Sequence, residues 1–191
     1  DKFGYTVAMN GVGDRVAVTN PVDSEVYIYD YVNGAWGAVH SHLFSIAGYD
    51  LNFNTSGDRF IIGDDTTSNG TAYIYHYDAG SWSSVPEHTY TGESNADAFG
   101  ISVSIDASGD RVLIGAYHIG TNDKGGAYLY SYDYGAGAWP ENTTDYDVSF
   151  AGVSASDQFA LECALTGLGH KALIGASMWS SANYGRGYLY D

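Results

Sequence analysis

The chain has 191 residues, enough for one domain with a sizeable core. It carries 23 Asp and Glu against 7 Lys and Arg, a net charge of −16, which speaks against nucleic-acid phosphates and anionic membrane surfaces as partners. A single cysteine excludes an internal disulfide framework, and no apolar run of 18 residues is present to span a bilayer.

The 25 Gly and 18 Tyr, with only 3 Pro, predict many short strands joined by turns. In chain order the elements come as four copies of one unit. The first strand of each copy reads "FGYTVAM" (3–9), "AGYDLNF" (47–53), "FGISVSI" (99–105) and "FALECAL" (159–165). A turn follows: "NGVGD", "NTSGD", "DASGD" and "TGLGH". A second strand, nearly continuous in apolar residues, opens on Arg15, Arg59, Arg111 and Lys171. Such a run suits a strand covered on both faces. The third strand carries Tyr-x-Tyr at 27–29, 73–75, 128–130 and 188–190, with both rings on one face. A fourth, more polar segment contains Trp36, Trp82 or Trp139 and suits an outer edge; the last copy stops at Asp191 before its own.

Four strands per repeat, with basic-column spacings of 44, 52 and 60 residues, predict an all-β array of propeller-type blades. The blades fall at about 1–46, 47–95, 96–152 and 153–191 of a single domain. An open segment or fragment with an incomplete last blade is favoured over a closed four-bladed ring. The missing outer strand is expected from outside the chain, either from a neighbouring copy or from further blades of the same polypeptide. The chain starts without Met inside its first motif, and reads as a processed protein or a piece of a longer one.

Phe-Gly opening the first strand, a Gly-Asp turn, and "IGA" ending the second strand resemble the FG-GAP repeat of integrin-α-type β-propellers. Residues 99–130 carry the motif most fully, and "IGA" returns at 174–176. The resemblance implies a propeller fold and a secreted or surface protein; a fold of this kind hosts many functions. The D-x-D-x-D-G calcium loop often found in integrin-type copies is missing from the turns here. No cofactor or metal is therefore expected, beyond a weakly held calcium ion at the acidic turns 63–70 and 121–126.

The basic column reads as structural, each side chain lying along an aromatic ring or tying down an adjacent loop. Cys163 reads as a small core residue, and His40 and His42 as part of a polar edge strand without a third metal ligand. No catalytic motif is present, so no catalytic residue is assigned. Sequons at Asn54, Asn69 and Asn142 lie in predicted turns and are expected to carry N-glycans. The resulting expectation is a non-catalytic extracellular or cell-surface glycoprotein serving structural assembly, with a head-to-tail filament as one form of it, or adhesion. The alternative is a lectin-like propeller binding a glycan or protein, with Trp179 as the candidate contact; a propeller hydrolase or lyase ranks below both.

Overall fold

The computed structural model describes residues 1–154, 156–178 and 185–191, with the backbone alone at 121 and 122. The β-branched and aromatic runs form strands because they mesh on a pleated surface, and the Gly, Asn and Asp clusters between them turn the chain. Four antiparallel sheets result, one after another along the sequence.

The first blade holds β1 (Val7–Met9), β2 (Arg15–Asn20), β3 (Glu25–Val32), β4 (Ala35–Trp36) and β5 (His42–Phe44). The second holds β6 (Asp50–Phe53), β7 (Arg59–Asp64), β8 (Thr71–Asp78), β9 (Ser81–Trp82) and β10 (His88–Thr91). The third holds β11 (Phe99–Ile105), β12 (Arg111–Ala116), β13 (Gly126–Ser131) and β14 (Val148–Ala151). The fourth holds β15 (Phe159–Leu165), β16 (Ala172–Ala176) and β17 (Arg186–Tyr190). No sheet closes into a barrel, and the array is open. The last blade is the three-stranded one, with β17 at its outer edge. A five-residue π-helical turn at Ile119–Asp123 is the one helical element among the described residues. None of their helices is long and apolar enough to cross a membrane.

The second strands start at Arg15, Arg59 and Arg111, and at Ala172, one residue after Lys171. Each Tyr-x-Tyr lies in the third strand of its blade. The fourth segment behaves differently from the expectation of one outer strand around the tryptophan. In the first two blades it splits in two. Trp36 and Trp82 sit on two-residue strands that fold back on the end of β3 and β8, and the outer strands β5 and β10 come later. Glycine turns with positive φ at Gly34 and Gly80 make that local return.

Each blade has two unlike faces. One shows the rings of Tyr-x-Tyr and the first and third apolar residues of the second strand. The other shows the residues between them. In every internal contact the small-residue face of one blade meets the ring face of the next. Ala17 and Ile28 pack with Phe60, Ile62 and Tyr75. Ile61 and Ile74 pack with Val112, Ile114 and Tyr130. Leu113 and Ala127 pack with Ala172 and Ile174, with Leu129, Tyr188 and Tyr190 at the margin.

The glycines of the repeat make this approach possible. A Cβ on Gly63 in β7 would lie 1.8 Å from the carbonyl oxygen of Gly100 in β11. A Cβ on Gly115 in β12 would lie 2.4 Å from the carbonyl oxygen of Ala160 in β15. Gly100 also has φ +88°, and its own Cβ would lie 2.4 Å from the Thr71 carbonyl oxygen. Gly100→Ala therefore meets both left-handed strain and a backbone clash, and is expected to cost about 2–4 kcal/mol of stability. Urea unfolding of the two proteins checks this.

Candidate functional site

The turn between the first two strands is built around one side chain per blade. Asn10 Oδ1 accepts from the backbone N–H of Gly13, Asp14 and Arg15. Asn54 Oδ1 accepts from Gly57 and Arg59. Asp106 Oδ1 accepts from Gly109, Asp110 and Arg111. Thr166 Oγ1 accepts from Lys171. The Asp106 carboxylate, which also receives the Ser108 hydroxyl, thus closes its own turn. Among the described residues no group of three or more His, Cys, Asp or Glu is gathered as a metal site.

Asn54, read from the sequence as a glycan acceptor, belongs to this column. Asn54 is 2% exposed. Its Nδ2 donates to Asp58 Oδ1 at 2.7 Å, to Ser56 Oγ at 3.1 Å and, across the blade contact, to the Ser108 carbonyl at 3.3 Å. A sugar on that nitrogen would leave a single N–H for these three acceptors and would have to fit beside a side chain that is almost wholly buried. Asn142 is exposed, with Nδ2 on Asp145 Oδ2 at 2.8 Å. Asn69 is half-buried, with Nδ2 on the Gly92 carbonyl at 2.9 Å.

The basic column crosses from each blade to the next. Arg15 Nη1 donates to the Gly57 carbonyl at 2.7 Å, and its guanidinium lies 4.2 Å from the Tyr77 ring centre and 5.2 Å from that of Trp82. Arg59 Nη1 donates to the Gly109 carbonyl at 3.0 Å and to Asp110 at 3.2 Å, with Tyr132 and Trp139 beneath the guanidinium. Arg111 Nη1 donates to the Gly169 carbonyl at 3.0 Å. Each also has an acid in its own blade where the sheet offers one: Arg15 pairs with Asp30 at 2.6 Å, and Arg59 makes a fork with both oxygens of Glu87 at 2.9 Å. The planar fork is what lets one side chain hold two blades. Lys171, which is exposed, pairs within its own blade with Asp191.

The inner strands of the last three blades border a groove of about 410 Å³, lined by Asp50, Asn52, Val103, Glu162, Cys163 and Leu173 among others. Asp50 accepts from Val103 N–H at 2.8 Å and from Leu51 N–H at 2.9 Å. Burial pushes its carboxyl above the ordinary range, and the nearby Glu162 charge adds to the rise. Ser102 Oγ accepts from Cys163 N–H at 2.9 Å and donates to Glu162 at 3.2 Å. The Cys163 thiol is pushed up to about 12, above all by burial. At neutral pH it is a thiol, not a nucleophilic thiolate. Cys163 packs at the margin of the core between the third and fourth blades, in line with its reading as a small core residue.

His40 lies edge-on to Tyr27 and Tyr29, and His42 lies against Phe44. Burial, and then the neighbouring His40, hold His42 below the usual histidine range. Trp179 lies outside the described residues.

The two end faces of the array stand open. Leu173 is 52% exposed and Leu189 66%, whereas Leu113, at the position of Leu173 in the preceding blade, is fully buried. At the other end Val7 and Met9 are exposed. Trp36 is 42% exposed, against 6% for Trp82 at the same place one blade later.

With this geometry in view, comparison with known families matches residues 88–130 to the FG-GAP repeat. The matched segment runs from β10 through the FG strand and the arginine-led second strand to Tyr-Leu-Tyr in β13. No curated protein matches the chain. The chain is thus a set of propeller-type blades, one of which carries the FG-GAP signature.

Two outcomes follow from the site. Arg59→Lys, which loses the fork, is expected to cost about 1–2 kcal/mol, while Lys171→Ala at the open end stays within about 0.5 kcal/mol, both read by urea unfolding. Cys163 in the folded chain is expected to react with iodoacetamide at pH 8 at least about tenfold more slowly than a free thiol, and at the free rate once unfolded.

Proposed function

We propose that the chain is a non-catalytic extracellular or cell-surface glycoprotein whose blades serve structural assembly or adhesion. The observation that carries this reading is the stacking itself: apolar faces, arginines and turn carbonyls are committed to contacts between blades. The groove supports a non-catalytic reading because its polar groups are committed to the backbone: Asp50 to two N–H groups, Ser102 to Cys163. The acidic surface suits a secreted protein that must stay apart from nucleic acid and anionic lipid.

A second reading, a lectin-like binder, is favoured by the same groove, whose Asn52 and Glu162 could meet sugar hydroxyls. A glycan array separates the two: retention of one sugar class, lost in Glu162→Gln, would favour the binder.

Glycosylation belongs to the proposal at Asn142, and at Asn69 if its bond to Gly92 yields. Intact mass of native material is expected to exceed that of the bare polypeptide, with peptide mapping placing sugar at Asn142 and none at Asn54. A native mass equal to the polypeptide would remove the glycoprotein part of the reading.

A further inference from the structure

We infer that His42 and His88, set into the contacts that join the first three blades, act as an acid-sensitive latch: the neutral imidazoles hold the outer strands closed against the next blade, and protonation releases them. The inference concerns contacts inside the chain and stands apart from the assembly reading.

The two histidines occupy one repeat position. Each opens the outer strand of its blade. Each is paired across the sheet with the middle residue of Tyr-x-Tyr, His42 with Ile28 and His88 with Ile74. An aromatic residue follows two places on, and period 2 puts it on the same face. The His42 ring lies 4.4 Å from that of Phe44, and the His88 ring 4.3 Å from that of Tyr90. Those two rings enter the contact with the next blade. Phe44 packs on Tyr75 at 4.6 Å and on Trp82 at 5.8 Å, and Tyr90 stacks on Tyr130 at 4.1 Å. Each histidine therefore stands beside the ring that closes its contact. In the third blade Val148 holds this position, paired with Leu129, and supplies no titrating group.

The surroundings favour the neutral ring. His88 Nε2 is buried without a hydrogen-bond partner. The segment after Trp139 covers its strand: Thr143 Oγ1 donates to the Thr91 carbonyl at 2.7 Å, and the Tyr130 hydroxyl donates to the Thr143 carbonyl at 2.7 Å. The charged and titratable groups about His88 are Glu87 beside it, Glu141 from that segment, and Tyr90 and Tyr130 in the contact. Both Glu87 oxygens are held by Arg59. Asp145 and Asp147 act on Tyr90, whose own hydroxyl is buried and unpartnered. About His42 they are His40 on its own segment and Tyr75 across the contact, against Phe44. Arg15, paired with Asp30, lies on the Trp82 ring. Burial holds both histidines below their ordinary range. His40 lowers His42 further, whereas Glu87 and Glu141 offset only part of the burial at His88.

The sign follows from linkage. Above the ordinary histidine value of about 6.5 both rings are neutral in the closed and the released state, and the contact keeps its full stability. As pH falls through that value, a released ring takes up a proton that the closed contact refuses. Stability is then lost until the lowered value is passed. Asp50 and Asp65, raised chiefly by burial, act in the opposite sense, as does the easing of repulsion in a chain of charge −16. The latch is therefore read as a difference between parent and variant.

The test has three readouts. NMR titration of the six histidines of the native chain, with His42→Gln and His88→Gln to assign the signals, should place both below the ordinary value of about 6.5. Urea unfolding should compare the parent with the double variant His42→Val, His88→Val, which copies the third blade. Between about pH 7.5 and 5.0 the parent's folding constant should fall at least about tenfold relative to the variant's, the effect of one pKa unit summed over the two sites. Hydrogen exchange, corrected for the intrinsic rate at each pH, should show protection lost in β5 and β10 of the parent, kept in the variant, and unchanged in β14.

A histidine that titrates at or above the ordinary value would overturn the latch at its blade. A ratio of folding constants that does not move with pH would overturn it at both. Protection lost equally in β14 would mark a general acid transition and would also overturn it. Should the double variant not fold, the two glutamine variants carry the same comparison one site at a time.

Discussion

The close approach of two backbones between successive blades is the constraint on which the rest depends. A blade of four strands cannot bury either face alone, and its neighbour covers it only if the sheets come near enough for side chains to mesh. At Gly63 over Gly100 the approach leaves no space for even one methyl group. The third contact shows how tightly this is held: Ala160 stands where Gly100 stands, and it keeps a left-handed φ of +69° to stay in register. Strain of this sort persists where the surroundings over-determine the conformation. With the backbones fixed, faces of unequal relief fit each other. Rings on one side fill the space that alanine and the middle residue of Tyr-x-Tyr leave on the other.

The arginine column fastens the same contact at its rim. A guanidinium that donates across to a turn carbonyl, lies on two rings and pairs with an acid of its own blade ties three elements by one side chain. Removing the fork leaves a carbonyl without its donor, and half-satisfied polar groups are costly in partly buried places. The column also gives the array its polarity. Every arginine points from an earlier blade to a later one, and none points back. In the fourth blade the column carries lysine, a point charge on a flexible stem that solvates easily.

The turn column explains why a glycosylation signal can mislead. Asn54-Thr55-Ser56 satisfies the local pattern, yet its amide lies under the Arg59 turn and reaches the next blade. Burial is a property of the neighbouring blade's position, to which a three-residue motif is blind. The sign was nevertheless in the sequence: Asn10, Asn54, Asp106 and Thr166 share one repeat position, each able to accept hydrogen bonds from its own turn. A residue type fixed by the repeat is committed to the fold before it is available to a sugar.

By itself the sequence determined the kind of structure and much of its register. The alternation of Tyr-x-Tyr, the apolar second strand and the basic column are local patterns, and local sterics and burial decide them. That is why all four third strands and three of the four second-strand starts were legible. Tertiary structure alone decided which face meets which, because that depends on the hand and direction in which blades stack. It split the tryptophan segment into a short return and a later outer strand. It also brought Asp50, Glu162 and Cys163 to one groove from strands more than a hundred residues apart. Finally, it left Leu173 bare while burying Leu113, two leucines in the same repeat position, because a side chain's exposure is set by what lies opposite it.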